Sequence, residues 1–313
     1  MSRRVVFLDT VHPVLFDRLS AEGMACSWET GIDRDSILNG ACSDVHGIVL
    51  RSRLTIDLKM LTAMPNLKWI ARSGAGLENI DTASADNRGV RVINSPEGNA
   101  ASVGEHVIGQ LLMLLHKLHI SNQHVREGGW DREGHRGLEL EARTVGIIGF
   151  GNMGRSLAQR LLGFGCRVLA YDKYKSGFDG DFGVEEVDFL QLCDDADVVS
   201  LHIPLTSETK GMIDAKWIGQ FSQPFYLLNS ARGGIAHTDA IVEALDTGSL
   251  LGAALDVLEF EMTSLEGISE KPPCFHQLAA HPKALLSPHV AGWSEESYFK
   301  LSDVLGDKIL DKE

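Results

Sequence analysis

The chain has 313 residues, 44% hydrophobic and 23% charged, a balance that excludes fibrous and disordered classes and suits two globular domains of ~150 residues with a cleft between them. Against 29 Lys and Arg stand 43 Asp and Glu, for a net charge of -14, so neither nucleic acid nor an anionic membrane is an expected partner. The five cysteines (Cys26, Cys42, Cys166, Cys193, Cys274) are odd in number and lack a CxxC, which argues against a disulfide framework or a zinc knuckle and for a reduced, cytoplasmic setting.

Met1–Leu8 holds too few apolar residues for a secretory signal, and no apolar run approaches the ~18 residues of a membrane span. From Arg4 onward, short apolar runs alternate with amphipathic stretches: VVFL, a helix near 14–22, GIVL at 47–50, a helix near 56–63, WIA at 69–71 and VRVIN at 90–94. That is βαβ grammar. Asn94–Gly98 is a turn-rich hinge candidate, and Ser102 with Glu105 reads as a capping box opening a buried helix over 102–120. A polar loop follows at 128–137.

A second series starts at Thr144, with strand candidates TVGIIG, RVLAY, DVVSL, FYLLN, GAALDV and ALLS separated by helical patterns. Six such strands fit a doubly wound, parallel dinucleotide-binding sheet. The stretch Ser294–Lys312, with Glu295 and Glu296 early and lysines late, is expected to close the chain as a helix.

Gly149-Phe150-Gly151-Asn152-Met153-Gly154 matches GxGxxG. With 32 glycines in 313 residues, chance alone gives about 0.3 matches, so context decides. Here the motif directly follows an apolar strand and opens a helix, whose free N–H groups would face a pyrophosphate. Asp172 ends the next strand, placed to accept hydrogen bonds from a ribose and to repel a 2'-phosphate, which favours NAD over NADP; Lys173 and Lys175 stand beside it.

The segments ARSGAGLENID (71–81), NSPEGNAASVGEH (94–106), TVGIIGFGNMG (144–154), HIPLTSETKGMI (202–213), NSARGG (229–234), GAALDVLEFE (252–261) and SPHVAGW (287–293) together resemble the D-isomer-specific 2-hydroxyacid dehydrogenase family. The resemblance runs from about residue 47 to 305 and implies an α/β protein. In it a Rossmann domain (99–288) is inserted into a smaller flavodoxin-like substrate domain (1–98 and 289–313). It also implies cofactor contacts at His202, Pro204, Thr209, Ser230, Ala231, Asp256 and Gly292, and a homodimer joined through the 102–120 helix and the 128–143 arm.

The residues carry a chemistry of their own. A 2-oxo acid needs a cation for its carboxylate, and Arg232, just past the strand 225–229, lies at the carboxyl edge of the sheet where such folds bind ligands. Reduction needs a proton donor, and His289, just after the last strand, is the candidate general acid. Glu261 would orient its other nitrogen; nearby Glu259 is the competing choice, and the resemblance favours Glu261, five residues on from Asp256. Ser73, Gly74, Ala75 and Gly76 would form a small anion nest. His116 and His119 at i, i+3 lack a metal-binding partner motif, so no metal is expected.

Arg51-Ser52-Arg53 follows the strand at 47–50 and is similar to a substrate-binding pattern of phosphoglycerate dehydrogenases; Asn99 lies in a segment with a similar role. Two arginines would suit a phosphate at C3, making 3-phosphoglycerate and phosphohydroxypyruvate the first expectation. Ala291-Gly292-Trp293 replaces the family's common Gly-Gly-Ser, Met262 replaces its proline, and the stretch 262–283 is longer than usual, which keeps hydroxypyruvate or glyoxylate reduction open. The sequence ends at 313 without a further regulatory domain, so serine feedback through one is not expected. A different class of function, an NAD(H)-sensing scaffold akin to corepressors of this fold, is disfavoured by the retained Arg, Glu and His.

Overall fold

A computed structural model describes residues 3–262, 264 and 267–311. The chain divides into two compact units: 1–100, 262–267 and 293–313 form the first, 101–261 and 268–292 the second. The sequence reading sets its boundaries after 98 and after 288, so residues 289–292, His289 included, pass to the second unit here.

The first unit runs β1 (Arg4–Phe7), α1 (Pro13–Ala21), β2 (Ala25–Trp28), α2 (Arg34–Leu38), β3 (Gly47–Leu50), α3 (Leu58–Ala63), β4 (Trp69–Arg72), α4 (Thr82–Asn87) and β5 (Arg91–Asn94). All its strand pairings are parallel, in the order β2-β1-β3-β4-β5, the flavodoxin-like arrangement. Both faces are covered. Val6, Ile48 and Ile70 point into one core, while Val5, Phe7, Val49, Trp69 and Ala71 point into the other, as alternation along a strand requires. Aspartates cap the short helices: Asp33, Asp57 and Asp81 each accept the N–H three residues on.

α5 (Pro96–Leu115) and α6 (Leu118–Arg126) lead to the second unit, which continues β6 (Thr144–Ile148), α7 (Asn152–Leu161), β7 (Arg167–Tyr171), β8 (Val184–Glu186), α8 (Phe189–Asp195), β9 (Val198–Leu201), α9 (Ala215–Ile218), β10 (Phe225–Asn229), α10 (Thr238–Thr247), β11 (Leu250–Leu255), α11 (Pro273–Ala280) and β12 (Ala284–Leu286). Seven parallel strands lie in the order β12-β11-β10-β9-β6-β7-β8. The direction of winding reverses between β6 and β9, where an open sheet offers a crevice beyond its carboxyl ends. α12 (Glu295–Leu310) belongs to the first unit, opened by a Ser294–Ser297 capping box; the predicted end at Lys312 lies outside the described residues.

Two expectations are corrected. The predicted 102–120 helix starts at Pro96, whose fixed φ and missing N–H suit a first helical position, and the hinge candidate 94–98 falls largely in its first turn. Ser102 and Glu105 are therefore mid-helix and form no capping box. The helix also stops short, because Lys117 turns left-handed (φ 52) and separates α5 from α6. β2 and β8 are additional strands, both at sheet edges and too polar to stand out as apolar runs.

Candidate functional site

At the winding reversal, Gly149 follows β6 with φ +94, and a Cβ there would lie 2.5 Å from the His202 carbonyl oxygen that follows β9. A Cβ on Gly154 would lie 2.2 Å from the Gly149 carbonyl oxygen. These two glycines let strand, turn and helix close on one another. Gly151 differs: it caps α7 with no side-chain bond, and the nearest atom to its hypothetical Cβ is the Lys175 Nζ at 3.7 Å. A free helix N-terminus beneath an open glycine, with an ammonium beside it, fits a pyrophosphate. Asn152 is exposed on the first turn, whereas the Met153 side chain packs into the core.

Asp172 ties this turn together, accepting the Phe150 N–H at 2.8 Å with one oxygen and the Tyr174 and Lys175 N–H groups at 2.9 and 3.1 Å with the other. It lines a groove of about 510 Å³ with Lys173, Tyr174, Lys175, Glu186 and Gln191. Lys173 and Tyr174 both pair with Glu208. The His202 ring accepts or donates at 2.8 Å to the Ser200 hydroxyl, and burial pushes its pKa down to about 4. Pro204 and Thr209 close the next turn, the Thr209 hydroxyl donating to the Pro204 carbonyl at 2.6 Å.

The three predicted catalytic side chains all belong to the second unit. Arg232 follows β10 in a loop shaped by Asn229, whose amide donates to the Arg232 carbonyl at 3.1 Å and accepts the Ala231 N–H at 3.0 Å. The Arg232 Nη1 donates to the Ala231 carbonyl at 2.6 Å, and the Ser230 hydroxyl beside it is buried with no protein partner. His289 Nδ1 lies 2.6 Å from Glu261 Oε2, and Glu261 Oε1 accepts the Leu258 N–H at 2.5 Å. Glu259 faces elsewhere, accepting the Thr238 N–H at 2.7 Å, so the histidine's partner is Glu261.

His289 has φ 55, a left-handed backbone that costs a non-glycine residue on the order of 1–3 kcal/mol. Asp256 holds it there. Only 1% exposed, its carboxylate accepts the Ser287 hydroxyl at 2.5 Å and the Val290 and Ala291 N–H groups at 3.0 and 2.8 Å; its own carbonyl accepts the His289 N–H at 2.8 Å. The sequence reading gave Asp256 to the cofactor; its contacts here are to the loop that carries the histidine and Gly292.

In the first unit, Arg51 follows β3 at that sheet's own winding reversal, its N–H donating to Asp9 at 2.6 Å. Its guanidinium lies 4.2 Å from the centre of the Trp293 ring. The Ser52 hydroxyl donates to the Ser264 carbonyl at 2.8 Å. Of the two arginines expected to suit a phosphate, Arg53 bonds Asp9 at 2.9 Å and the Leu8 and Ile32 carbonyls at 2.5 and 2.9 Å, so its charge is spent on structure. Buried Ser73 leads into Gly74, whose φ of +151 excludes ordinary side chains, and the Ala75 carbonyl is fixed by the Asn94 amide at 2.6 Å. Gly76 continues the loop; the Asn99 Oδ1 on α5 is buried without a protein partner. Among the described residues no cluster of three or more His, Cys, Asp or Glu could hold a metal, and His116 and His119 fall on either side of the α5–α6 break.

Sequence reasoning missed the polar face of α5. Ser102 donates to the Ala291 carbonyl at 2.7 Å, His106 lies 3.1 Å from the Ser287 hydroxyl, and Gln110 donates to that hydroxyl at 3.0 Å. The signal was present as three polar residues four apart in an apolar helix.

The model of the D-isomer specific 2-hydroxyacid dehydrogenase NAD binding domain matches residues 108–291. A D-3-phosphoglycerate dehydrogenase of Archaeoglobus fulgidus is 32% identical over 308 residues, 98% of this chain and 56% of that protein. A hydroxypyruvate reductase of Thermotoga maritima is 33% identical over 278 residues, covering 89% of this chain and 88% of that one. Among solved structures, a D-lactate dehydrogenase of Treponema pallidum superposes with a TM-score of 0.82 at 26% identity, over 99% of this chain and 97% of that chain.

The chain belongs to the D-isomer specific 2-hydroxyacid dehydrogenase family, and residues 108–291 are its NAD binding domain. It spans about half the length of the phosphoglycerate dehydrogenases it matches, 56% of one and 48% of another. No helix among the described residues is long and apolar enough to cross a membrane.

Proposed function

We propose that this protein reduces the C2 carbonyl of a small 2-oxo acid with NADH, or runs the reverse oxidation of a D-2-hydroxy acid, and that the preferred pair is phosphohydroxypyruvate and 3-phosphoglycerate. The observation that carries the reaction is the 2.6 Å His289–Glu261 pair, held on the same sheet as the dinucleotide turn. NADH, when bound, supplies the hydride. Arg232 grips the substrate carboxylate and polarises the carbonyl; His289 gives its Nε2 proton to the oxygen as C2 is reduced; Glu261 keeps the ring in that orientation. In oxidation His289 takes the proton back.

In this reading the second unit is the dinucleotide-binding domain and the first the substrate domain, with Ser73–Gly76 and Asn99 serving the carboxylate end. Asp172 selects NAD, since Lys173 is already paired with Glu208. The exposed Leu118, Val125 and Trp130, the last 81% exposed, suit a homodimer interface on α6 and the arm after it.

Arg51 supports the C3 phosphate, because stacking on Trp293 presents a cation whose orientation is set before substrate arrives. A second reading, hydroxypyruvate or glyoxylate reduction, is favoured by Arg53, whose guanidinium is already held by Asp9 and the Leu8 and Ile32 carbonyls. NADH consumption with a panel of 2-oxo acids separates them. Phosphohydroxypyruvate should be the best substrate, and Arg51→Ala should raise its KM by about 10- to 100-fold while leaving hydroxypyruvate within about twofold. Equal use of both by wild type and variant removes Arg51 from the site. Binding of NADH with no turnover of any 2-oxo acid leaves the sensing scaffold instead.

A further inference from the structure

We propose that Ser102, His106 and Gln110, four residues apart on one face of α5, are positioning residues for His289; the inference rests on reading His289 as the acid–base group. The proton inventory fixes the direction of the contacts. The Ser287 hydroxyl has one hydrogen, and its 2.5 Å contact with Asp256 takes it, because an ionised carboxylate can only accept. The His106 Nε2 at 3.1 Å and the Gln110 Nε2 at 3.0 Å must then both donate to the Ser287 oxygen, which places a hydrogen on His106 Nε2. The same nitrogen lies 3.6 Å from Asp256.

The network encloses the catalytic loop. Asp256 fixes the Val290 and Ala291 N–H groups, Ser102 fixes the Ala291 carbonyl, and His106 and Gln110 fix Ser287. His289 is the residue between these anchors, in a left-handed conformation that a histidine leaves when free to do so. Release of the anchors would let its backbone relax and carry the ring off Glu261. α5 thus sets the angle at which the proton is delivered without touching substrate.

The test compares wild type, His106→Leu, His106→Gln, Ser102→Ala and, as a reference, His289→Ala. The assay uses whichever of hydroxypyruvate and phosphohydroxypyruvate wild type turns over faster. His106→Leu should lower kcat at least about tenfold with KM and the NADH Kd within about threefold, since a misplaced proton donor slows chemistry and spares binding. His106→Gln, which keeps a donor, should recover most of the loss. Amide exchange at Val290 and Ala291 should quicken in the Leu variant and not in the Gln variant, a readout independent of turnover. Ser102→Ala, a substitution that suits a helix, should lose activity in the same direction; if His106→Leu does not fold, this variant decides.

Unchanged kcat with only a lowered melting temperature, or equal losses in the Leu and Gln variants, overturns the inference. The two levels separate cleanly: wild-type activity in His289→Ala sinks the reading of the site itself, whereas an inactive His289→Ala beside a fully active His106→Leu sinks only the positioning role.

Discussion

The side chains with the most exacting surroundings are those that neither the hydrophobic pattern nor the glycine motif singles out. His202 is one. Its ring contacts fully buried Ser200, and burial keeps it neutral far below the usual histidine range, at about 4. The unfolded chain would protonate it near 6.5, so the neutral ring favours the folded state fully above that pH. That contribution is lost progressively as pH falls from about 6.5 to about 4, and amounts to no more than on the order of 3 kcal/mol. Thermal melts between pH 7 and pH 5 should show this slope, and His202→Asn should flatten it. An identical slope in both proteins would assign the pH dependence to other groups.

At the scale of elements, the strongly apolar strands and the β6–turn–α7 unit were legible because period and punctuation agree. Val145–Ile148 is an unbroken apolar run, Gly149 opens the turn, and Gly154 lets the helix settle on the strand. The places of Arg232 and His289 just past β10 and β12 were legible as residue types beyond strands, and the contact of His289 with Glu261 was expected from resemblance to a family. α5 was misread because Ser102 and Glu105 imitate a helix start, whereas Pro96 supplies the real one. Arg53 was misread because a charge next to a strand end looks the same in sequence whether it faces a ligand or the protein's own carbonyls.

β8 was invisible for a further reason: besides its backbone ladder to β7, it is tied by side chains distant in sequence. Arg167 on β7 bonds Glu185 at 2.9 and 2.7 Å and Asp195 at 2.8 Å, joining β7 to β8 and to the end of α8. These groups are largely exposed, so Arg167→Ala should cost under about 1 kcal/mol overall. Its local effect should be faster amide exchange along β8. A large drop in melting temperature, with β8 protection unchanged, would show that the edge is held by something else.

For the whole molecule, a net charge of -14 sets a field that repels the small anion proposed as substrate. The proposed reading therefore gives recognition to local cations such as Arg232 rather than to long-range attraction. The central claim is that His289, oriented by Glu261, moves the proton that accompanies hydride transfer. The most direct measurement is kcat of His289→Ala beside its NADH dissociation constant. Loss of the imidazole should lower kcat about 10²- to 10⁴-fold with NADH affinity nearly intact; turnover close to wild type would contradict the role of His289.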